Sequence, residues 1–236
     1  MKFKLFIHKL TNWEYWPYQV VYLPVYFQYL FYAVRTQSFF YFNASNPTFK
    51  NGGFFLESKK EIYDLIPTEY YPKTILIQSN EALNVIISKI KTENIQLPFI
   101  AKPNIGLRGT AVKKINTVDE LENYIKKANF EILIQDLIPY ENEIGLFYVK
   151  LPNQSGKITG IVAKEFMILT GNGKNTLREL IQQDLRYLFQ LETLEEEYKE
   201  QLETVLEIGE VINLVPYGNH CRGTKFVDAS FEITSK

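Results

Sequence analysis

The features of this sequence that could do chemistry are basic residues beside a glycine-bearing loop. Lys102 lies near the end of an apolar run, and the polar loop at 104–109 contains Gly106, Arg108 and Gly109. Glycine lets phosphate oxygens approach backbone N–H groups closely, and lysine or arginine supplies the matching positive charge. The spacing therefore indicates a site for a phosphate-like anion.

The elements that must position this loop are two strands. Residues 97–103 are apolar and end in proline, and residues 110–115 alternate between polar and apolar, so both are predicted strands. A Walker A loop or a dinucleotide fingerprint lies between a strand and a helix. Both of those phosphate-binding motifs are therefore disfavoured, although a phosphate-binding hairpin is not.

Helices and strands are mixed along the rest of the chain. Ser58 and Thr117 each precede a glutamate by three residues, which predicts that both cap helices. Further strands are predicted over 72–77, 131–138, 144–151, 157–166 and 210–215, and further helices over 81–91, 176–190 and 192–206. Because the strands pair as hairpins, the predicted fold class is α+β.

Composition excludes several classes of protein. The 236 residues include 26 Lys and Arg against 27 Asp and Glu, a balance that disfavours binding to nucleic acid. One cysteine, Cys221, excludes an internal disulfide framework and a CxxC zinc site and fits a reducing cytoplasm. Two histidines leave little for a histidine-based metal site.

The most apolar stretch is residues 18–34, which contains five tyrosines. Its 17 residues fall short of the roughly 20 that span a bilayer. A segment lying at a membrane surface is an open alternative, because tyrosine and tryptophan favour the headgroup region. The interpretation that we favour is a packed aromatic core element.

The sequence PFIAKP at 98–103, followed by GLRG at 106–109, resembles the ATP-grasp superfamily. The likeness is to D-alanine–D-alanine ligase-like and cyanophycin-synthetase-like members, and it extends from about Ser58 onward. It implies two α+β subdomains whose antiparallel sheets clasp a nucleotide cleft. The implied parts are an aromatic-rich region at 1–57, a central subdomain at 58–135 and an incomplete C-terminal subdomain at 136–236.

The resemblance implies a set of residues on the phosphate side of the nucleotide. They are Lys59, Lys102, Gly106, Arg108, Gly109 and Lys164. Arg222 corresponds to the arginine that stabilises the transferred phosphoryl group, so Arg222 and Lys164 would be catalytic. Each lysine could instead be a surface cation, Lys60 and Lys73 compete with Lys59, and Lys164 could be a cross-strand ion-pair partner.

The resemblance also implies residues for the adenosine part. Gln135, Asp136 and Leu137 match the hinge strand beside adenine, where the family usually has glutamate at the first position. Glu143 matches the acidic residue that holds the ribose hydroxyls. As a plain surface carboxylate, Glu143 would have no such role.

The activity implied by the resemblance is an ATP-dependent carboxylate–amine ligase acting through an acyl phosphate on small-molecule substrates. The family binds Mg²⁺ through an Asp and a later Glu-x-Asn pair, and the 12 residues after Thr224 do not supply them. We therefore expect a truncated chain that lacks the metal ligands. The alternatives are a nucleotide-binding protein without ligase activity and a membrane-surface interaction protein.

Overall fold

The computed structural model describes residues 2–54, 56–106, 111–140, 142–215 and 223–233. The chain divides into one unit of residues 9–139 and another of residues 1–8 with 140–236. The division into regions 1–57, 58–135 and 136–236 stays a prediction.

Helices and strands are mixed throughout the described residues. The α-helices are α1 (Lys2–Thr11), α2 (Tyr18–Val21), α3 (Leu23–Thr36), α4 (Lys59–Asp64), α5 (Leu83–Thr92), α6 (Val118–Lys127), α7 (Leu177–Gln183), α8 (Leu185–Leu188) and α9 (Leu191–Tyr198). The strands are β1 (Thr74–Ile77), β2 (Phe99–Pro103), β3 (Lys113–Ile115), β4 (Ile132–Asp136), β5 (Glu143–Val149), β6 (Lys157–Glu165), β7 (Ile168–Thr170), β8 (Val211–Asn213) and β9 (Lys225–Asp228). Neighbouring strands in every sheet are antiparallel, so the predicted α+β class is confirmed.

The unit of residues 9–139 is built on a four-stranded sheet with the order β1-β4-β2-β3. One face of this sheet is apolar and packs against α5 and α6. Its buried residues are Ile75, Ile77, Phe99, Ala101, Ile115, Ile132 and Ile134. Because side chains alternate between the two faces of a strand, the intervening residues are directed to the opposite face.

Two helices of this unit begin at the predicted caps. The Ser58 hydroxyl accepts a hydrogen bond from the Glu61 N–H at 3.2 Å, and the Thr117 hydroxyl accepts one from the Glu120 N–H at 3.2 Å. Each bond satisfies a backbone donor that has no partner within its helix. Both predicted caps are confirmed.

The unit of residues 1–8 and 140–236 contains a three-stranded sheet of order β5-β6-β9 and a two-stranded sheet of β7 and β8. A separate core surrounds α7 and α9. Its fully buried residues include Met167, Leu177, Ile181, Leu194 and Leu202. The prediction of one helix over 176–190 was wrong, because the Asp184 side chain accepts from the N–H groups of Arg186 and Tyr187 and so starts α8 afresh.

The segment 18–34 forms α2 and most of α3, and it is not the packed core element that we favoured. Ala33 is the buried residue of these two helices. The apolar side chains of α3 point to all sides of the helix, whereas the segment at 38–54 contacts only one side of it. An aromatic cluster forms there, in which Tyr29 and Tyr32 pack against Tyr41 at ring-centroid distances of 5.4 and 6.1 Å.

No helix within the described ranges combines the length and the apolar character needed to cross a bilayer.

Candidate functional site

A row of polar side chains crosses the sheet of residues 9–139 on the face opposite its apolar core. Thr74, Gln135 and Lys102 lie on the adjacent strands β1, β4 and β2. The Gln135 amide donates to the Thr74 hydroxyl at 2.6 Å, and its Oε1 accepts from Lys102 Nζ at 2.6 Å. Gln135 is buried, and its bond to Thr74 fixes the orientation of its amide. The Oε1 atom of this amide then holds the Lys102 ammonium in place.

Tyr63 on α4 provides the second partner of Lys102. Lys102 Nζ lies 3.1 Å from the Tyr63 hydroxyl and 5.5 Å from the centre of its ring. Burial acts to raise the pKa of Tyr63. The positive charge of Lys102, hydrogen bonds with Gln135 and Lys102, and the charge of Lys59 together outweigh burial, so the pKa lies below its ordinary value.

Asn104, directly after β2, joins this strand to the start of α4. Its Oδ1 accepts from the Ser58 hydroxyl at 3.1 Å and from the Lys60 N–H at 3.0 Å. Its amide donates to Glu131 Oε2 at 2.8 Å. Because Asn104 is 3% exposed, this network fixes the end of β2 relative to α4.

Lys59, the first residue of α4, reaches the same loop. Its Nζ donates to the carbonyls of Asn104 at 3.2 Å and Gly106 at 3.4 Å. Partial burial and then the positive charge of Lys102 lower the pKa of Lys59. The two ammonium groups are therefore close enough to repel one another.

The hydrogen-bond acceptors of both ammonium groups are uncharged. Lys102 bonds to a phenol and an amide, and Lys59 bonds to two carbonyls. Among the described residues, neither lysine forms an ion pair; Glu57 acts on Lys59 only from beyond ion-pair distance. Two adjacent cations without a carboxylate partner form a site suited to an anion.

Lys114 adds a third cation on this face of the sheet. It pairs with Ile100 in the β2–β3 register, and Ile100 in turn pairs with Gln135. Residues in register share a face, so Lys114 lies on the side of Gln135 and Lys102. The sequence pattern gave Lys114 no role, because only the register of the hairpin assigns its face.

The structure brings together four of the predicted site residues: Lys59, Lys102, Gly106 and Gln135. Sequence reasoning missed Tyr63 and Asn104. Tyr63 lies four residues after Lys59 on α4, a spacing that places both on one side of a helix and could have revealed it.

Several predicted residues cannot be placed in this way. Arg108, Gly109 and Arg222 lie outside the described residues. Asp136 and Leu137 lie at the end of β4, and the backbone N–H of Asp136 donates to the Lys73 carbonyl at 3.0 Å. Their contact with adenine stays a prediction.

Lys164 and Glu143 belong to the unit of residues 140–236 and form an ion pair with each other. They are direct partners in the β5–β6 register, and Lys164 Nζ also lies 5.8 Å from the centre of the Phe226 ring. The cross-strand pair is the structural alternative that the sequence left open. The predicted roles of Lys164 at phosphate and Glu143 at ribose remain predictions.

A metal centre is not formed by the described part of the chain: no group of three or more His, Cys, Asp and Glu residues there could hold an ion. The described residues thus place two adjacent lysines where an anion could bind, and they contain no such cluster of metal-ligating side chains.

Comparison with known proteins finds similarity only at the level of solved structures. No protein-family model matches the chain, and no curated protein matches it. Among solved structures, the chain is similar to a bifunctional glutathione synthetase from Pasteurella multocida, with 11% identity and a TM-score of 0.32. The match covers 75% of this chain and 26% of the synthetase, so the chain spans about a quarter of that protein's length.

Proposed function

We propose that the chain binds ATP through the site around Lys59 and Lys102 and belongs to an ATP-grasp-type carboxylate–amine ligase. The observation that carries the proposal is the pair of ammonium groups held by neutral acceptors at the end of β2. Small-molecule carboxylate and amine substrates are part of the proposal.

The charge of the ligand supports this choice. ATP carries about four negative charges, and charge-assisted hydrogen bonds contribute roughly 1.5–3 kcal/mol each. The chain as a whole has a net charge of −1, so long-range attraction does not favour an anion. Binding must depend on cations gathered locally, as Lys59 and Lys102 are.

The position of the loop also supports it. Residues 104–112 connect β2 to β3, which are antiparallel neighbours in the sheet. A hairpin loop after a lysine-bearing strand is what the resemblance to ATP-grasp proteins implies. The network around Asn104 would hold residues 104–106 beside the ammonium groups of Lys59 and Lys102.

Bound ATP would supply a phosphoryl group that activates a carboxylate for attack by an amine. The residues of this chain would bind and orient the phosphates. Lys59 and Lys102 would neutralise phosphate oxygens, and Gln135 and Tyr63 would keep the Lys102 ammonium in position.

Thermal unfolding with a series of ligands tests the proposal. We expect ATP and inorganic triphosphate to raise the Tm, with a free-energy gain of RT ln(1 + [L]/Kd), and AMP to raise it much less. Lys59→Met and Lys102→Met should each lose most of this shift. The matched control is Lys91→Met, which alters an exposed lysine of α5.

An unchanged shift in both lysine variants would remove the phosphate assignment. Release of ADP that depends on an added carboxylate and amine would support the ligase. Triphosphate binding without such turnover would support the alternative, a nucleotide-binding protein without ligase activity.

A further inference from the structure

An apolar face of α3 is left uncovered in the structure. Its residues recur at helical spacing and are between 51% and 79% exposed: Leu23, Phe27, Leu30, Phe31 and Val34. Burying a large apolar side chain stabilises a protein, so leaving five such residues in water forgoes that stabilisation. A contiguous face of this kind marks an interaction surface.

The other side of the same helix faces the protein. Tyr29 contacts Tyr41 and Phe42, and its hydroxyl donates to the Phe39 carbonyl. Tyr32 also contacts Tyr41. These contacts fix the rotation of α3 about its own axis. Packing of Tyr29 and Tyr32 therefore determines which face of the helix is exposed.

Charge is absent from the helical segment and returns at its end. Residues 15–34 include no charged side chain, and Arg35 follows at once. Arg35 lines a shallow concavity of about 420 Å³ together with Leu30, Phe31 and Val34. It forms no ion pair among the described residues. An apolar concavity edged by a guanidinium suits an acyl chain with an anionic headgroup.

A second copy of the chain fits these features less well than lipid does. The 14 residues of α3 extend about 21 Å, so one face of this helix supplies only part of the roughly 800 Å² per partner that a standard interface buries. A second α3 face would also offer Arg35 no anion, because residues 15–34 include no acidic side chain. Anionic lipid instead complements the positive charge of Arg35, and a bilayer surface covers an apolar face whatever the area of that face.

We propose that the outward face of α3 binds the surface of a bilayer that contains anionic phospholipid. Its apolar residues would enter the boundary between headgroups and acyl chains, and Arg35 would contact lipid phosphates. Trp13 and Trp16, which precede α2 in the same unit and are 69% and 42% exposed, would occupy the headgroup region.

Intrinsic tryptophan fluorescence provides a direct test, because the two tryptophans of the chain, Trp13 and Trp16, both lie shortly before α2 and α3. The whole chain is titrated with vesicles of phosphatidylcholine alone and of phosphatidylcholine with phosphatidylglycerol. We expect a blue shift of the emission and co-sedimentation with the anionic vesicles, both weakened by added salt. This outcome is independent of whether the chain binds ATP.

Two variants separate the apolar and the charged contributions. Phe27→Gln with Phe31→Gln should lower the vesicle partition coefficient by about tenfold or more. Arg35→Gln should lower binding to anionic vesicles by about fivefold, and Arg35→Lys should restore most of it. The control for the phenylalanine pair is Tyr70→Gln with Ile208→Gln, which alters residues that are 75% and 84% exposed elsewhere.

Circular dichroism must show an unchanged fold in each variant. Absence of a fluorescence shift with both kinds of vesicle would overturn the proposal. So would full retention of vesicle binding by the double phenylalanine variant. A dimer detected by light scattering, which the same variant dissociates and vesicles do not, would assign the face to a second copy instead.

Discussion

Gln135 accepts a hydrogen bond from Lys102 at 2.6 Å and at the same time donates one to Thr74 at 2.6 Å. A single buried amide thus links a candidate ligand-binding cation to the adjacent strand β1. Because an amide has a donor and an acceptor at opposite corners, it can serve both neighbours at once. A carboxylate at this position would supply acceptors only.

Replacing Gln135 therefore tests whether the hydrogen bonds that join Thr74, Gln135 and Lys102 stabilise the sheet. We expect Gln135→Leu to lower the free energy of unfolding by about 1–3 kcal/mol, because it removes the acceptor of a half-buried ammonium. Urea unfolding followed by circular dichroism measures this. Gln182→Leu, at an exposed position of α7, is the control and should change stability by less than about 0.5 kcal/mol. Equal values for the two variants would contradict the structural role.

Asn104 is expected to be the more sensitive position. Asn104→Ala removes the acceptor of the Ser58 hydroxyl and the Lys60 N–H and the donor to Glu131. Several buried polar groups lose partners together, so the expected loss is about 2–4 kcal/mol. The same urea experiment measures it, with Asn123→Ala on the exposed side of α6 as the matched substitution. A loss no larger than that of Asn123→Ala would show that the network contributes little.

The lowered pKa of Lys59 predicts how anion binding depends on pH. A phosphate anion binds the protonated amine, so affinity should fall as the pH rises through a value below the ordinary 10.5 of lysine. Lys59→Arg should keep its affinity to higher pH, because a guanidinium stays charged. Titration calorimetry with inorganic triphosphate between about pH 8 and 10.5 measures the decline.

Tyr63 must be controlled in that experiment. Its pKa is lowered as well, and an ionised phenolate beside Lys102 would also weaken anion binding as the pH rises. The comparison of Lys59 with Lys59→Arg is therefore made in a Tyr63→Phe background. If both proteins lose affinity over the same pH range there, Lys59 is not the titrating group.

The ion pair between Lys164 and Glu143 should contribute modestly to stability. The two side chains are 21% and 44% exposed, and partly exposed pairs on neighbouring strands contribute roughly 0.2–1 kcal/mol. A double-mutant cycle of Lys164→Met and Glu143→Gln measures the coupling, which should decrease in high salt. A coupling above about 2 kcal/mol that salt does not change would contradict this expectation.

Sequence patterns predicted correctly those features that depend on residues close together in the chain. The caps at Ser58 and Thr117 depend on a bond between residues three apart, and both form. The lysine at the end of β2 followed from an apolar run that ends at a proline. Asp184 shows the limit: a helical pattern on both sides concealed a side chain that caps a new helix.

Partners distant in the chain could not be predicted from the pattern. Lys102 meets Gln135, 33 residues away in sequence, because β4 lies beside β2. It meets Tyr63, 39 residues away, because Asn104 holds the start of α4 at the end of β2. Strand order is set by packing of the whole sheet against α5 and α6. The expectation that residues 18–34 form a packed core element was wrong for a related reason. Apolar composition alone does not tell which part of the protein, if any, covers a helix.

The central position of β4 has a consequence for synthesis on the ribosome. β1, β2 and β3 emerge first, yet β1 and β2 are not neighbours and are joined only through the strand that emerges last. Until residues 132–136 leave the exit tunnel, the nascent chain exposes unpaired strand edges and cannot hold Lys102 against its amide partner. Acquisition of the anion site is thus tied to the moment at which translation passes this strand.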